Sequence, residues 1–240
     1  MKKKRNVLVT GSSSGIGLRI TKAFAKKNYR VIACSRRKDL MEKELSDFKN
    51  IHIFSLDLSK PKNIEKFISP IIKDFGSIDI LVNNAAVLHS GKIEDIPVDD
   101  FTTSFLTNVV SIFALTKFVL PQMKKNNFGR IINISSGGAI NCSPEFSPYS
   151  SSKAAINAFT KSVANEIEGT NVKINSMSPG PCKTEMFPDN PLDPDAGIPT
   201  ALMLASENEK LSNGKFFWME KEVEVFADVS NIDWSDPNSI

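Results

Sequence analysis

Hydrophobic and polar positions follow two rhythms along this chain. Short apolar runs bounded by glycine, proline or polar breakers occur at Asn6–Thr10, Arg30–Cys34, Ile51–Ser55, Ile78–Val82, Gly129–Ile134 and Val172–Met177. Their brevity and β-branched content predict strands buried on both faces. Between them, Ile16–Lys27, Asp39–Phe48, Pro61–Phe75, Asp99–Lys125 and Tyr149–Ile167 have helical length and helical spacing. Strand alternating with helix predicts right-handed βαβ units, hence an α/β fold with a doubly wound parallel sheet. No linker, repeat or low-complexity stretch divides residues 1–240, which read as a single domain.

The rhythm changes after Pro179-Gly180. Residues 187 to 199 carry Pro188, Pro191, Pro194 and Pro199 with three aspartates and read as a loop. A short helix is expected at about Pro199–Ala205, a strand at Lys215–Met219 and an edge strand at Glu222–Phe226. The acidic tail, Asp228 to Ile240, is expected to be poorly ordered unless Trp234 docks.

Composition narrows the classes. A hydrophobic share of 41% supports a sizeable core, and 24% charged residues is an ordinary globular value. A net charge of +3 is too slight to imply a nucleic-acid or membrane-surface partner. The basic start, Lys2-Lys3-Lys4-Arg5, runs through Val7-Leu8-Val9 straight into a glycine-rich stretch, too soon for a signal peptide. No apolar run reads as long enough to span a bilayer. Cys34, Cys142 and Cys182 are scattered, which fits free thiols in a reducing, cytoplasmic compartment. His52 and His89 are isolated, so no metal site is expected.

Three constellations carry chemistry. The first is Val7-Leu8-Val9-Thr10 followed by Gly11-Ser12-Ser13-Ser14-Gly15-Ile16-Gly17 and then a helix. A tight turn needs positive φ, and a pyrophosphate needs bare backbone and a helix N-terminus aimed at it; these glycines supply both. The spacing departs from the general G-x-G-x-x-G pattern.

The second lies at the end of the second strand, Ala33-Cys34-Ser35-Arg36-Arg37. An acid here would bind a ribose 2′-hydroxyl and select NAD. Ser35 followed by two guanidinium groups suits a 2′-phosphate instead, so NADP(H) is favoured over NAD(H). Asp39 is the alternative, serving an NAD ribose if the strand ends later.

The third is Tyr149-Ser150-Ser151-Ser152-Lys153. A spacing of four at a helix start puts Tyr149 and Lys153 on one face, and a nearby ammonium lowers a phenol from about 10 toward neutrality. Tyr149 then serves as a general acid or base. Upstream, Ile131 to Ser136 ends a strand in hydroxyls, where parallel sheets bind ligands. Position alone leaves either Ser135 or Ser136 as the donor.

Taken together, residues 5 to about 185 resemble the short-chain dehydrogenase/reductase family, which has a Rossmann fold. Its T-G-x-x-x-G-x-G motif matches Thr10 through Gly17, and its N-N-A-G stretch matches Asn83-Asn84-Ala85-Ala86, with Ala for the last Gly. Asn108 matches a helix asparagine, Ser136 the serine, Tyr149 and Lys153 the Y-x-x-x-K pair, and Pro179 to Thr184 the P-G-x-x-x-T segment. Asp57-Leu58 resembles the adenine-contacting acid and its neighbour.

The resemblance implies an NADP(H)-dependent oxidoreductase that interconverts a carbonyl and a secondary alcohol, acting as a reductase. Tyr149 would pass the proton, Ser136 steady the oxygen, Lys153 tune the phenol and hold a ribose, and Asn108 position a relay water. It also implies that Gly11, Ser13, Ser14, Gly15, Ile16, Gly17, Ser35, Arg36, Arg37, Asp57, Leu58, Asn84, Ala85, Ala86, Pro179, Gly180, Cys182 and Thr184 contact the cofactor. A homodimer or homotetramer packed through Asp99–Lys125 and Tyr149–Ile167 is expected by the same analogy. The substrate is expected to be a small-molecule or carrier-bound carbonyl or alcohol. The segment from residue 185 to 200 is shorter than the family's usual lid, and the usual D-G-G turn after Phe216 to Met219 is missing. An open site for a bulky polar or carrier-bound substrate would follow. A non-catalytic cofactor-binding regulator is the rival, but Ser136, Tyr149 and Lys153 are all present. A nucleotide-sugar-modifying relative would need a larger C-terminal domain.

Overall fold

The computed structural model describes residues 4–227; the expected tail at 228–240 lies outside the described residues. The strands are β1 (Asn6–Thr10), β2 (Arg30–Ser35), β3 (Ile51–Ser55), β4 (Ile80–Asn83), β5 (Gly129–Ile134), β6 (Val172–Ser178), β7 (Phe216–Trp218) and β8 (Lys221–Val223). The helices are α1 (Gly15–Lys26), α2 (Lys38–Leu45), α3 (Ile64–Phe75), α4 (Val98–Phe105), α5 (Ser111–Lys125), α6 (Gly138–Asn141), α7 (Ser147–Glu166) and α8 (Ile198–Leu204). The strands form one sheet in the order β3-β2-β1-β4-β5-β6-β7-β8. Among the described residues only β8 runs antiparallel, paired to β7. The Rossmann fold expected from the sequence is therefore present.

Side chains alternate across the pleat, so the apolar runs feed two cores. Leu8, Ile32, Leu81, Ile131 and Ile174 point to one face, where Ile64, Ile68, Leu115, Val119 and Val163 from α3, α5 and α7 cover them. Val7, Val9, Val31, Ile80, Val82 and Ile132 point to the other, under Ile20 and Phe24 of α1 and Leu204 of α8. Strand order reverses between β1 and β4, which pair directly, with Val7 beside Ile80. A crevice opens there at the carboxyl ends of the strands.

Several boundaries differ from the sequence reading. Strand β4 starts at Ile80, because the residues before it anchor the base of β1. The Asn6 amide donates to Asp79 Oδ2 at 2.8 Å, and Asn6 Nδ2 donates to the Ser77 carbonyl at 2.6 Å. The expected helix Asp99–Lys125 runs from Val98 and changes to a π-helical turn at Leu106–Val110. The expected strands Lys215–Met219 and Glu222–Phe226 are shorter, because Met219 and Glu220, at φ 46° and 66°, turn the chain between Trp218 and Lys221. That is a two-residue hairpin without the usual Asn-Gly signal.

One expectation about the membrane is corrected. Val98–Lys125 is long and apolar enough, by length and composition, to cross a bilayer. Its Leu115, Val119 and Met123 instead pack in the core with α3 and α7.

Leu8 is fully buried at the centre of the sheet. Leu8→Ala removes its packing and leaves a cavity, and is expected to cost about 2–5 kcal/mol. Urea denaturation should show a lower midpoint with an unchanged m-value; a loss under 1 kcal/mol would contradict this core assignment.

Candidate active site

The crevice is a cavity of about 690 Å³. Every site residue expected from the sequence lines it except Asn108. At its floor, the turn after β1 is locked to the end of β4. Thr10 Oγ1 accepts the Asn84 and Ala85 amides at 2.9 and 3.0 Å, while Asn84 Nδ2 donates to the Thr10 carbonyl at 2.9 Å. Gly11 sits at φ +69°, and a Cβ there would lie 2.8 Å from Asn84 Nδ2. A Cβ on Gly17 would collide with that amide and with the Gly11 carbonyl. Two of the three glycines thus serve packing against β4 as well as access for a ligand. Gly15, at φ +53°, faces the Thr184 methyl group instead.

The end of β2 supplies the cationic rim. Ser35 Oγ accepts the Arg37 amide at 3.0 Å, which shapes the turn into α2. The Arg37 side chain folds back over the glycine turn, donating to Ser13 Oγ at 3.2 Å and Ser14 Oγ at 2.6 Å. It also pairs with Glu185 at 2.9 Å. Arg36 lines the cavity, whereas the alternative acid, Asp39, is exposed and does not. Asp57 accepts from the Ser59 hydroxyl at 2.7 Å, and this bond holds its carboxyl below the usual range despite partial desolvation.

At the other end stand the hydroxyls. Ser136, not Ser135, stands beside Tyr149, and its hydroxyl acts against the upward shift of the phenol. Ser135 is buried and donates to the Lys153 carbonyl at 3.2 Å. The Gly138 amide donates to Ser136 Oγ at 3.0 Å and orients it. Lys153 is 2% exposed. Its Nζ donates to the Ile134 carbonyl at 2.7 Å and lies 5.6 Å from the Tyr149 ring centroid.

Two expectations change here. Burial raises the Tyr149 phenol above its ordinary value, opposed by the Ser136 hydroxyl, so the lysine does not bring it toward neutrality. The burden falls on the amine, since desolvation pushes Lys153 down to about 8. Asn108 is also placed differently. Its Oδ1 accepts the Val87 amide at 2.8 Å, and its Nδ2 donates to the Val87 carbonyl and Ser152 Oγ, each at 3.0 Å. With the side chain engaged in this way behind the cavity wall, Asn108 ties the loop after β4 to α7.

Sequence reasoning missed the aromatic wall. Phe187 stacks on Phe146 at 6.3 Å and meets the Tyr149 ring edge-on at 6.1 Å. Trp218 lies against Gly137, where a Cβ would come within 2.7 Å of the indole. These residues come from three separate segments, and no local spacing announces their convergence.

A doubly wound sheet, a glycine turn at its switch point and a Ser–Tyr–Lys cluster define a Rossmann-type protein with an enzyme-like crevice. The chain belongs to the short-chain dehydrogenase family, whose profile matches residues 5–194. It is 36% identical over 186 residues to the uncharacterized oxidoreductase YvrD of Bacillus subtilis, covering 76% of this chain and 70% of that one. Identity to a D-beta-hydroxybutyrate dehydrogenase of Cupriavidus necator is 37% over 180 residues, covering 73% and 70%. Among solved structures, ElxO with NADP bound matches with a TM-score of 0.82 at 29% identity, covering 90% of this chain and 97% of that one. The closed form of a serine dehydrogenase complexed with NADP+ has a TM-score of 0.82 at 25% identity, covering 89% and 93%.

The buried lysine has a measurable consequence. Its pKa of about 8, against 10.5 when unperturbed, means that over this interval the unfolded chain holds a proton that the folded chain lacks. Stability therefore rises as pH climbs from 8 to 10.5, and the cost of burying the charge is fully present below 8. In Lys153→Met this gain is absent, so the variant's stability relative to wild type should fall by roughly 3 kcal/mol across that interval. Parallel stability curves for the two proteins in urea would refute the assignment.

Proposed function

We propose that this protein is an NADP(H)-dependent oxidoreductase that interconverts a carbonyl and a secondary alcohol, acting as a reductase. The observation that carries this reading is the Ser136–Tyr149 hydroxyl pair opening onto the crevice, with the Lys153 ammonium buried behind it. The family, the D-beta-hydroxybutyrate dehydrogenase relative and two structural neighbours solved with NADP or NADP+ support it.

A nicotinamide dinucleotide fits the residues present. The glycine turn exposes backbone below Thr184, and Ser13, Ser14, Arg36 and Arg37 offer hydroxyl and guanidinium donors where a 2′-phosphate would lie. Asp57 and Leu58 would flank the adenine, and Pro179, Gly180 and Thr184 the nicotinamide end. When bound, the cofactor supplies or accepts hydride. The protein does the rest. Tyr149 gives its proton to the substrate oxygen in reduction, and Ser136 hydrogen-bonds that oxygen and stabilises the developing charge. Lys153 keeps positive charge beneath the phenol as its proton leaves. Asn108 holds α7 in place through Ser152.

The substrate end is walled by Phe146, Met186, Phe187 and Trp218, with Asn141, Ser143 and Asn190 between them. These walls suit a carbonyl compound, free or carrier-bound, that presents an apolar face.

Removing the phenol oxygen tests the assignment. Tyr149→Phe should lower NADPH-dependent turnover of carbonyl substrates by 10²–10⁴-fold. NADPH binding, followed by cofactor fluorescence, should stay within about twofold of wild type. Retained turnover would defeat this reading.

The oligomeric proposal also has a surface. Val98, Phe101, Val110 and Phe113 are exposed along α4, the π-helical turn and α5. An apolar stripe of this kind marks an interface, and two copies packing through it would form the dimer. Light scattering after chromatography should report a dimer for wild type and a monomer for Phe113→Glu combined with Val110→Glu. A monomeric wild type would overturn it.

A further inference from the structure

Glu185 stands between the two ends of the crevice. One of its carboxylate oxygens accepts from Arg37 Nη1 at 2.9 Å and from Ser14 Oγ at 3.3 Å. Arg37 Nη2 in turn donates to the same Ser14 hydroxyl at 2.6 Å, and its Nε donates to Ser13 at 3.2 Å. A guanidinium and a hydroxyl converging on one anionic oxygen is the donor set a phosphate oxygen requires. The carboxylate thus sits in a small anion site of the protein's own making.

The segment carrying Glu185 is closed on itself. The Thr184 amide donates to the Phe187 carbonyl at 3.1 Å, and the Phe187 amide donates to the Thr184 carbonyl at 3.2 Å. Thr184 Oγ1 accepts from the same Phe187 amide, also at 3.2 Å. Residues 184–187 therefore shift together, and Phe187 at their end packs against Phe146 and Tyr149. The clasp itself is weak, because the Arg37 and Glu185 side chains are 49% and 65% exposed and solvent screens the pair. A phosphate dianion carries more charge and more acceptor oxygens than this single carboxylate.

We propose that Glu185 is a cofactor-selecting residue. Its carboxylate occupies the 2′-phosphate position, so NADP(H) displaces it and frees the loop bearing Phe187, whereas NAD(H) leaves the clasp closed. This rests on the reading of the crevice as a dinucleotide site. Cofactor identity is thereby coupled to the wall beside Tyr149.

Calorimetric titration of the full chain with 2′,5′-ADP and with 5′-AMP isolates the phosphate. Glu185→Gln should bind 2′,5′-ADP about 3–10-fold tighter than wild type, with 5′-AMP affinity within about twofold. With Arg37→Gln already in place, adding Glu185→Gln should bring no further gain. Hydrogen exchange of the 184–187 amides should rise in wild type with 2′,5′-ADP and not with 5′-AMP. An unchanged 2′,5′-ADP affinity in Glu185→Gln, or an equal change for both ligands, overturns the proposal. An NADH preference in wild-type turnover would overturn the NADP(H) reading separately. The role of Glu185 would then still stand or fall on the 2′,5′-ADP gain.

Discussion

A buried ammonium sets the terms for the crevice. Lys153 reaches the floor of the site from α7 and donates to the Ile134 carbonyl at the end of β5. Burying a charge without a carboxylate partner is costly, and the structure around it is arranged to bear that cost. Ser135 donates to the Lys153 carbonyl, Ser152 to the Tyr149 carbonyl, and Asn108 to Ser152. The first turns of α7 are thus held from both sides, and Tyr149 and Ser136 meet as a consequence. The π-helical turn at Leu106–Val110 belongs to the same arrangement, since it carries Asn108 between the loop after β4 and Ser152. Turns of this kind appear mostly as single turns inside α-helices, frequently at functional sites.

The opposite half of the crevice is built differently. Around the glycine turn, backbone meets backbone at distances that admit no side chain, and Asn84 fills the remaining polar gap. Past β6 the wall is made of exposed loops, joined to the glycine turn through Arg37 and Glu185. The floor is rigid because its contacts are buried and geometrically exclusive; the wall can move because its contacts are solvated. A site with this division can keep one chemistry while its loops determine what enters.

The legible part of the protein is the part written in local pattern. Among the described residues every strand, and every helix but the short α6, follows from runs such as Val7-Leu8-Val9 and from helical spacing, because each element's burial is encoded in its own residues. The glycine turn and the Tyr149/Lys153 pair are legible for the same reason. What escaped depends on distant partners. Arg130, fully buried at the foot of β5, donates to the Ser206 and Asn171 carbonyls, and nothing near it in sequence predicts that. The hairpin at Met219-Glu220 lacks the residues that usually mark such a turn. Phe146, Phe187 and Trp218 lie in segments that read as the approach to a helix, a loop and a strand end, and converge only in three dimensions.

The direction of the Tyr149 shift shows why a pair read from spacing needs its surroundings. Spacing placed an ammonium near a phenol, and from that alone the phenol should become more acidic. Both groups are buried, and burial penalises the charged form of each: it raises the phenol and lowers the amine. With Lys153 near 8, both groups hold their protons at neutral pH, so Tyr149 stands ready as an acid rather than as a phenolate. Proton donation is the step that carbonyl reduction requires of it. Burial, by raising the phenol and lowering the amine, thus leaves the proposed donor protonated whichever nucleotide the rim selects.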